Sequence, residues 1–185
     1  MIDTNWIIIT GEPRSGKSTL IDRLAFEGYR ICPEISRIII DDYNSKEKEL
    51  DYYTDYFEKL ILKEKISAET RFKPEEYVFW DRGIIDSIAF SRLYRRNLDD
   101  EIKSSLIFHY QYIFYLDELP VYQPDYATQE DKKSASLLGK LIINAYSELG
   151  YSPINVPKMD IESRAQFILD IVQNDNAANP KLYNG

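Results

Sequence analysis

A chain of 185 residues is long enough to bury a core of its own, and no shift in composition marks a second domain. Its 31 acidic side chains outnumber 23 basic ones, for a net charge of −8 and a pI near 4.8, which argues against a broad phosphate-binding surface and so against a nucleic-acid partner. The single cysteine, Cys32, cannot form an internal disulfide, no basic region followed by an apolar signal stretch opens the chain, and no apolar run approaches the ~20 residues that span a bilayer, so a cytoplasmic protein without a transmembrane segment is expected.

Asn5 to Thr10 reads as a continuous apolar strand, the pattern of a strand buried on both faces of a parallel sheet. It delivers the run Gly11, Glu12, Pro13, Arg14, Ser15, Gly16, Lys17, Ser18, Thr19, a phosphate-binding loop with Gly11, Gly16, Lys17 and Ser18 in their fixed places. A polyphosphate needs converging backbone N–H donors, and only a loop with little side-chain bulk lets the backbone approach that closely. Lys17 is expected to reach the β- and γ-phosphates as a point charge, and the Ser18 hydroxyl to sit on Mg²⁺. Leu20, Ile21, Leu24 and Ala25 recur at helical spacing up to Glu27, and Gly28 is placed to end that helix.

Tyr29 to Cys32 predicts a second strand, broken by Pro33. In a helix starting near Pro33, Glu34 and Arg37 lie three apart and share a face, which would turn a carboxylate base and a phosphate or substrate clamp toward the loop. The plainer alternative is a surface ion pair, worth ~0–1 kcal/mol. From Ser45 to Phe72 the chain is highly charged, with Leu50, Tyr53, Phe57, Leu60 and Ile61 as an apolar helical stripe and Asp55 and Lys59 at i,i+4 spacing. Tyr77 to Trp80 is the third strand, with Asp81, Arg82 and Gly83 at its C-terminal end, where a carboxylate orients Mg²⁺ and Arg82 can clamp phosphate or acceptor. Asp81 is otherwise a cap for a helix from about Ile84 to Arg96, along which Arg92, Arg95 and Arg96 are expected to face solvent.

Leu98 to His109 reads as helix, and Tyr112 to Leu116 as a fourth strand ending in Asp117. Asp117 competes with Asp81 for the metal and ranks second, because Arg82 gives the Asp81 site both charges that phosphoryl transfer requires. His109, the only histidine, reads as structural. A lid is placed at about 118–136, where Pro120 and Pro124 signal a loop before a helix from Gln129 to Leu149. Tyr151 to Val156 is a fifth strand; Asn155, Val156 and Pro157 either present backbone to an adenine edge or simply lead onward. Asp160 is expected to cap a last helix to about Val172, closing a single domain over residues 1–173 with a frayed tail from 174 to 185.

Taken together, GEPRSGKST, CPEISR, WDRGIIDS, LDELPVYQPDYATQED and a closing strand with VP resemble the NadR-type P-loop family, which includes a ribosylnicotinamide kinase domain and is more distantly related to thymidylate and deoxynucleoside kinases. The resemblance runs from about Asn5 to Val172. It implies an α/β three-layer fold with a five-stranded parallel sheet in the order 2-3-1-4-5, ATP as the nucleotide with GTP as the alternative, and Mg²⁺. It also implies that Glu34 falls where related nucleoside kinases place the carboxylate that activates the acceptor hydroxyl, and that Asp81 and Arg82 match the acidic-arginine pair of their DR motif. The expected function is transfer of the γ-phosphoryl group of ATP to a nucleoside-like acceptor of ribosylnicotinamide type. Two departures stand out: Glu12 and Arg14 occupy loop positions that are commonly small, and no arginine lies between Arg96 and Arg164, where the lid usually offers one. The competing expectation is therefore a nucleotide-binding switch without kinase activity. An apolar groove beside Glu34 would favour the switch, and a closed pocket with room for a ribose would favour the kinase. Oligomeric state is not legible.

Overall fold

Trp6–Gly11 form a strand, β2, with every residue buried, so it needs neighbours on both edges and cover on both faces. The computed structural model, which describes residues 1–46, 54–119 and 129–176, supplies them. Val78–Asp81 (β4) and Tyr112–Leu116 (β6) flank β2 in parallel, with Ile8 opposite both Trp80 and Ile113. Arg30–Cys32 (β3) and Ile154–Val156 (β7) complete the edges. The order β3-β4-β2-β6-β7 is the expected 2-3-1-4-5 arrangement of core strands.

Alternation along the strands divides the core in two. Ile7 and Ile9 face a layer made by Lys17–Phe26 (α1) and Ile161–Asn176 (α7), where Leu20, Leu24, Ile168 and Val172 are buried. Ile8 and Trp80 face Asp55–Glu69 (α3), Asp86–Leu93 (α4), Asp99–Ser104 (α5) and Gln129–Glu148 (α6). Ile35–Ser45 (α2) leans on α3 through Ile39, Phe57 and Ile61. Local signals act as expected: Gly28 takes φ 91° after α1 and its N–H bonds the Ala25 carbonyl at 2.9 Å. Thr54 caps α3 by accepting from Phe57 N at 3.3 Å, and Asp160 caps α7 by accepting from Ser163 N at 2.9 Å. Among the described residues no helix is long and apolar enough to cross a membrane.

Several expectations are corrected. The helix expected over Leu98–His109 stops at Ser104, because Phe108–His109 (β5) pairs in parallel with Ile2–Asp3 (β1), a contact between distant parts of the chain. His109 stacks on Tyr151 there, with ring centroids 4.9 Å apart, in keeping with a structural role. Arg96 does not face solvent: its side chain is almost fully buried and pairs with Glu58 at 2.7 Å. Asp55 and Lys59 turn to other elements, Asp55 to Arg96 at 3.6 Å and Lys59 to Glu101 at 3.3 Å. The last helix continues to Asn176 rather than fraying at 174. Leu50, Tyr53 and residues 120–128 of the expected lid lie outside the described residues.

Candidate functional site

The phosphate loop leaves β2 at Gly11, whose φ of 139° and surroundings admit no side chain: a Cβ there would lie 2.1 Å from the Leu116 carbonyl oxygen. The loop then turns through left-handed backbone at Arg14 (φ 61°) and Gly16 (φ 83°) and opens α1 at Lys17. Lys17 is folded back with 7% of its surface exposed, its Nζ donating to the Glu12 carbonyl at 2.8 Å and to Ser15 Oγ at 3.2 Å. Burial, and then the nearby Arg82 guanidinium, push its pKa down to about 7, against the pull of Asp81, Glu34 and Asp86. Ser18 and Thr19 are exposed at the start of the helix. Pro13, Arg14, Gly16, Lys17, Ser18 and Thr19 line one side of a cleft of about 740 Å³.

Glu12 and Arg14 engage the segment after β6. The Glu12 Oε2 accepts from the Glu118 amide at 3.1 Å, and Arg14 Nε lies 3.2 Å from the Glu118 carboxylate. Glu12 also packs against Gly139 of α6, where a Cβ would stand 2.6 Å from its Oε1.

Across the cleft stand Glu34 and Arg82. Glu34 precedes α2 with extended backbone (φ −62°, ψ 108°) and makes no cap bond to it; its Oε1 accepts from Ser36 Oγ at 2.9 Å and lies 3.4 Å from Arg82 Nε. Arg82 follows β4 in the left-handed region, φ 68°, a conformation that costs a non-glycine residue ~1–2 kcal/mol. It is 7% exposed, and its Nη2 donates to the Gly11 carbonyl at 3.1 Å and Nη1 to Asp86 Oδ1 at 3.2 Å. Burial works against its charge, but Asp86, Glu34 and Asp81 overcome it and hold the guanidinium above its ordinary range.

Asp81, the last residue of β4, is 5% exposed, and its Oδ1 has no hydrogen-bond partner among the described residues. Burial first, and then Glu34, raise its pKa to about 6, with Arg82 and Lys17 pulling down. It shares a hollow of about 310 Å³ with Ser18 and Glu34. No group of three His, Cys, Asp or Glu side chains converges among the described residues. That donor set fits a hard cation that keeps most of its waters, bound through one carboxylate, one hydroxyl and substrate phosphates, as Mg²⁺ is. The carboxylate that caps the turn before α4 is Asp86, which accepts from the Gly83 amide at 2.9 Å, and not Asp81. Asp117 lines neither the cleft nor this hollow and accepts from Asn155 Nδ2 at 3.4 Å.

Glu34 is the N-cap of α2 and not part of its first turn, and Arg37 lines the Asp81 hollow with it. Arg37 is 77% exposed and reaches Asp41 at 3.7 Å, so its guanidinium is on the solvent side.

Three buried residues that spacing did not single out stand behind or beside the site. Asp86 is fully buried and accepts from Thr10, Arg82, Gly83 and the Tyr146 hydroxyl (2.7 Å), linking the end of β2, the turn after β4 and α6. Arg164 of α7 is 2% exposed and donates through Nη1 to the Ser15 carbonyl at 2.7 Å, bracing the loop from behind. Lys65 of α3 is buried and donates to the Gly83 carbonyl at 2.7 Å and Ser87 Oγ at 3.3 Å. Lys65 lines a second pocket, of about 230 Å³, between α2, α3 and α4, which has Ile40, Phe57, Ile61 and Tyr94 in its walls. Glu34, Arg82 and Phe90 border both this pocket and the phosphate cleft, so the two are neighbours across these side chains.

Among solved structures, the fold is similar to NadR protein in complex with NR (TM-score 0.72, 14% identity, 92% of this chain and 52% of that one). It is also similar to a deoxyadenosine kinase from M. mycoides (0.65, 14%, 91% and 99%) and to thymidylate kinase from Candida albicans (0.65, 13%, 94% and 93%). The chain spans about half the length of the NadR protein it matches. No curated protein sequence matches it. The model of an AAA domain family matches residues 6–164, the stretch that runs from the first core strand through the phosphate loop to the arginine that braces it, and the chain belongs to this family of P-loop domains.

Proposed function

We propose that the chain is an ATP-dependent phosphotransferase that moves the γ-phosphoryl group to a hydroxyl of a nucleoside-like acceptor. The carrying observation is that a phosphate cleft and a side pocket share Glu34 and Arg82 in their walls, where an acceptor hydroxyl and a γ-phosphate would have to meet. The loop amides and Lys17 hold the phosphates, and Arg14, lining the cleft, supplies the guanidinium charge that the segment between Arg96 and Arg164 lacks. Glu34 takes the proton of the acceptor hydroxyl as its oxygen bonds to the γ-phosphorus; the bond to the β–γ bridging oxygen breaks, and its electron pair leaves with ADP. Arg82, fixed by Asp86 and the Gly11 carbonyl, stabilises charge on the transferring group. Ser18 and Asp81 would hold Mg²⁺, which offsets phosphate charge when bound. Arg37 contributes at the rim alone.

The test is incubation with ATP, Mg²⁺ and a nucleoside panel, followed by a search for phosphorylated product by mass. Product is expected from the native chain and none above background from Lys17→Ala. ATP binding without product across the panel would move the assignment to a nucleotide switch.

A further inference from the structure

The side pocket between α2, α3 and α4 carries an unusual charge arrangement. Four charged side chains line it: Glu34, Glu58, Lys65 and Arg82. Three of them are in ion pairs. Glu58 is paired with Arg96 at 2.7 Å, and Arg82 lies 3.2 Å from Asp86 and 3.4 Å from Glu34. Lys65 makes no ion pair among the described residues: it is 5% exposed, the atoms that accept from it, the Gly83 carbonyl and Ser87 Oγ, are neutral, and Asp86, Glu58 and Glu34 act on it only through space. The carboxylate that acts on it most strongly, Asp86, already accepts from Thr10, Arg82, Gly83 and Tyr146. An ammonium has three donors, and Lys65 uses two within the protein. A buried ammonium without a carboxylate partner is costly, and the cost falls when a bound molecule brings an oxygen to the third donor.

The aromatic walls do not favour a second cation. Arg82 stacks over the Phe90 ring at 5.2 Å and Arg96 over Tyr94 at 4.9 Å, so each ring already holds a guanidinium on one face. We propose that the pocket takes a nucleoside whose base is neutral and turns a carbonyl oxygen to Lys65, and that it excludes a positively charged pyridinium base such as that of ribosylnicotinamide. The apolar parts of Ile40, Phe57 and Ile61 hold the flat faces of the base, while Lys65 reads its edge. Lys65 is thereby a specificity-determining residue that touches the acceptor and not the phosphates. This inference rests on the transferase reading for the identity of the pocket as the acceptor site.

Binding and transfer are measured separately. Uridine, inosine and ribosylnicotinamide are titrated calorimetrically into the protein saturated with a non-hydrolysable ATP analogue, for the native chain, Lys65→Met and Lys65→Gln. Uridine or inosine should bind at least ~10-fold more tightly than ribosylnicotinamide, and both variants should lose at least ~10-fold for the oxo-nucleosides with unchanged affinity for the nucleotide. Lys65→Met removes a buried charge but also the donor to the Gly83 carbonyl, so it is expected to melt lower, whereas Lys65→Gln keeps a donor there; unchanged nucleotide affinity in both shows that the fold is intact. Equal or tighter binding of ribosylnicotinamide, an unchanged preference in the variants, or no binding of either oxo-nucleoside would overturn the proposal. Lys65-dependent binding of uridine without phosphorylated product would leave it standing and sink the transferase reading; product from ribosylnicotinamide alone would do the reverse.

Discussion

Asp86 shows how much of the site depends on one side chain with no exposed surface. Its two oxygens receive donors from three elements, and one of them, Arg82, is held in strained left-handed backbone. Removing the carboxylate charge leaves the buried Arg82 guanidinium short of its nearest anion, so Asp86→Asn should destabilise the fold by ~3–5 kcal/mol, seen as a drop in thermal midpoint. Tyr146→Phe deletes a single donor to the same carboxylate and should cost ~1–3 kcal/mol. Glu34 belongs to a different class of residue. It is partly exposed, makes no helix cap, and touches Ser36 and the Arg82 guanidinium, which keeps Asp86 as its buried counter-charge, so Glu34→Gln should change melting and ATP affinity little while lowering kcat by ~10²–10⁴-fold. Equal losses in nucleotide affinity and kcat would assign it a structural task.

At the scale of elements, the contact between the loop and β6 is the tightest in the nucleotide site. Since a Cβ on Gly11 would meet backbone atoms of Leu116 and not a side chain that can swing away, Gly11→Ala forces β2 and β6 apart at their C-terminal ends. ATP binding should disappear, and hydrogen exchange at the amides of residues 112–116 should accelerate; retention of both would show that the two strands yield more easily than their pairing implies. These elements also separate what could be read in the residues from what could not. The loop and the strands of the central sheet were legible because their signals are local: apolar runs, two glycines, a lysine at fixed spacing. Phe108–His109 reads as helix because its partner, Ile2–Asp3, is far away in the sequence, in a two-stranded sheet of their own, and no local pattern announces that pairing. Arg96 was read as a surface charge for the same reason, its partner Glu58 being on another helix. The gathering of Glu34, Asp81 and Arg82 around Lys17 was legible from their places at strand ends, whereas Arg164 acts on Ser15 across 149 positions of chain and Asp86 on Thr10 across 76.

For the whole molecule, buried ionisable groups set the pH dependence. Glu69 is 4% exposed and bonded by the Tyr110 hydroxyl, and burial raises its pKa to about 7 despite that bond and the pull of Lys65. A carboxyl whose folded pKa lies above its unfolded value binds its proton more tightly when folded, so its contribution is fully present below about 4.5 and is lost as pH rises through about 7. Glu69→Gln, which stays neutral, should therefore gain thermal midpoint relative to the native chain between pH 5 and pH 8; a constant difference over that range would show that Glu69 titrates normally.

Arg164 has a consequence for the order in which the protein comes off the ribosome. The phosphate loop is synthesised well before the guanidinium that braces its Ser15 carbonyl, which follows 149 positions later in the helix that starts at Ile161. Until that helix has been made and has folded back onto α1, the nascent loop is without its rear support.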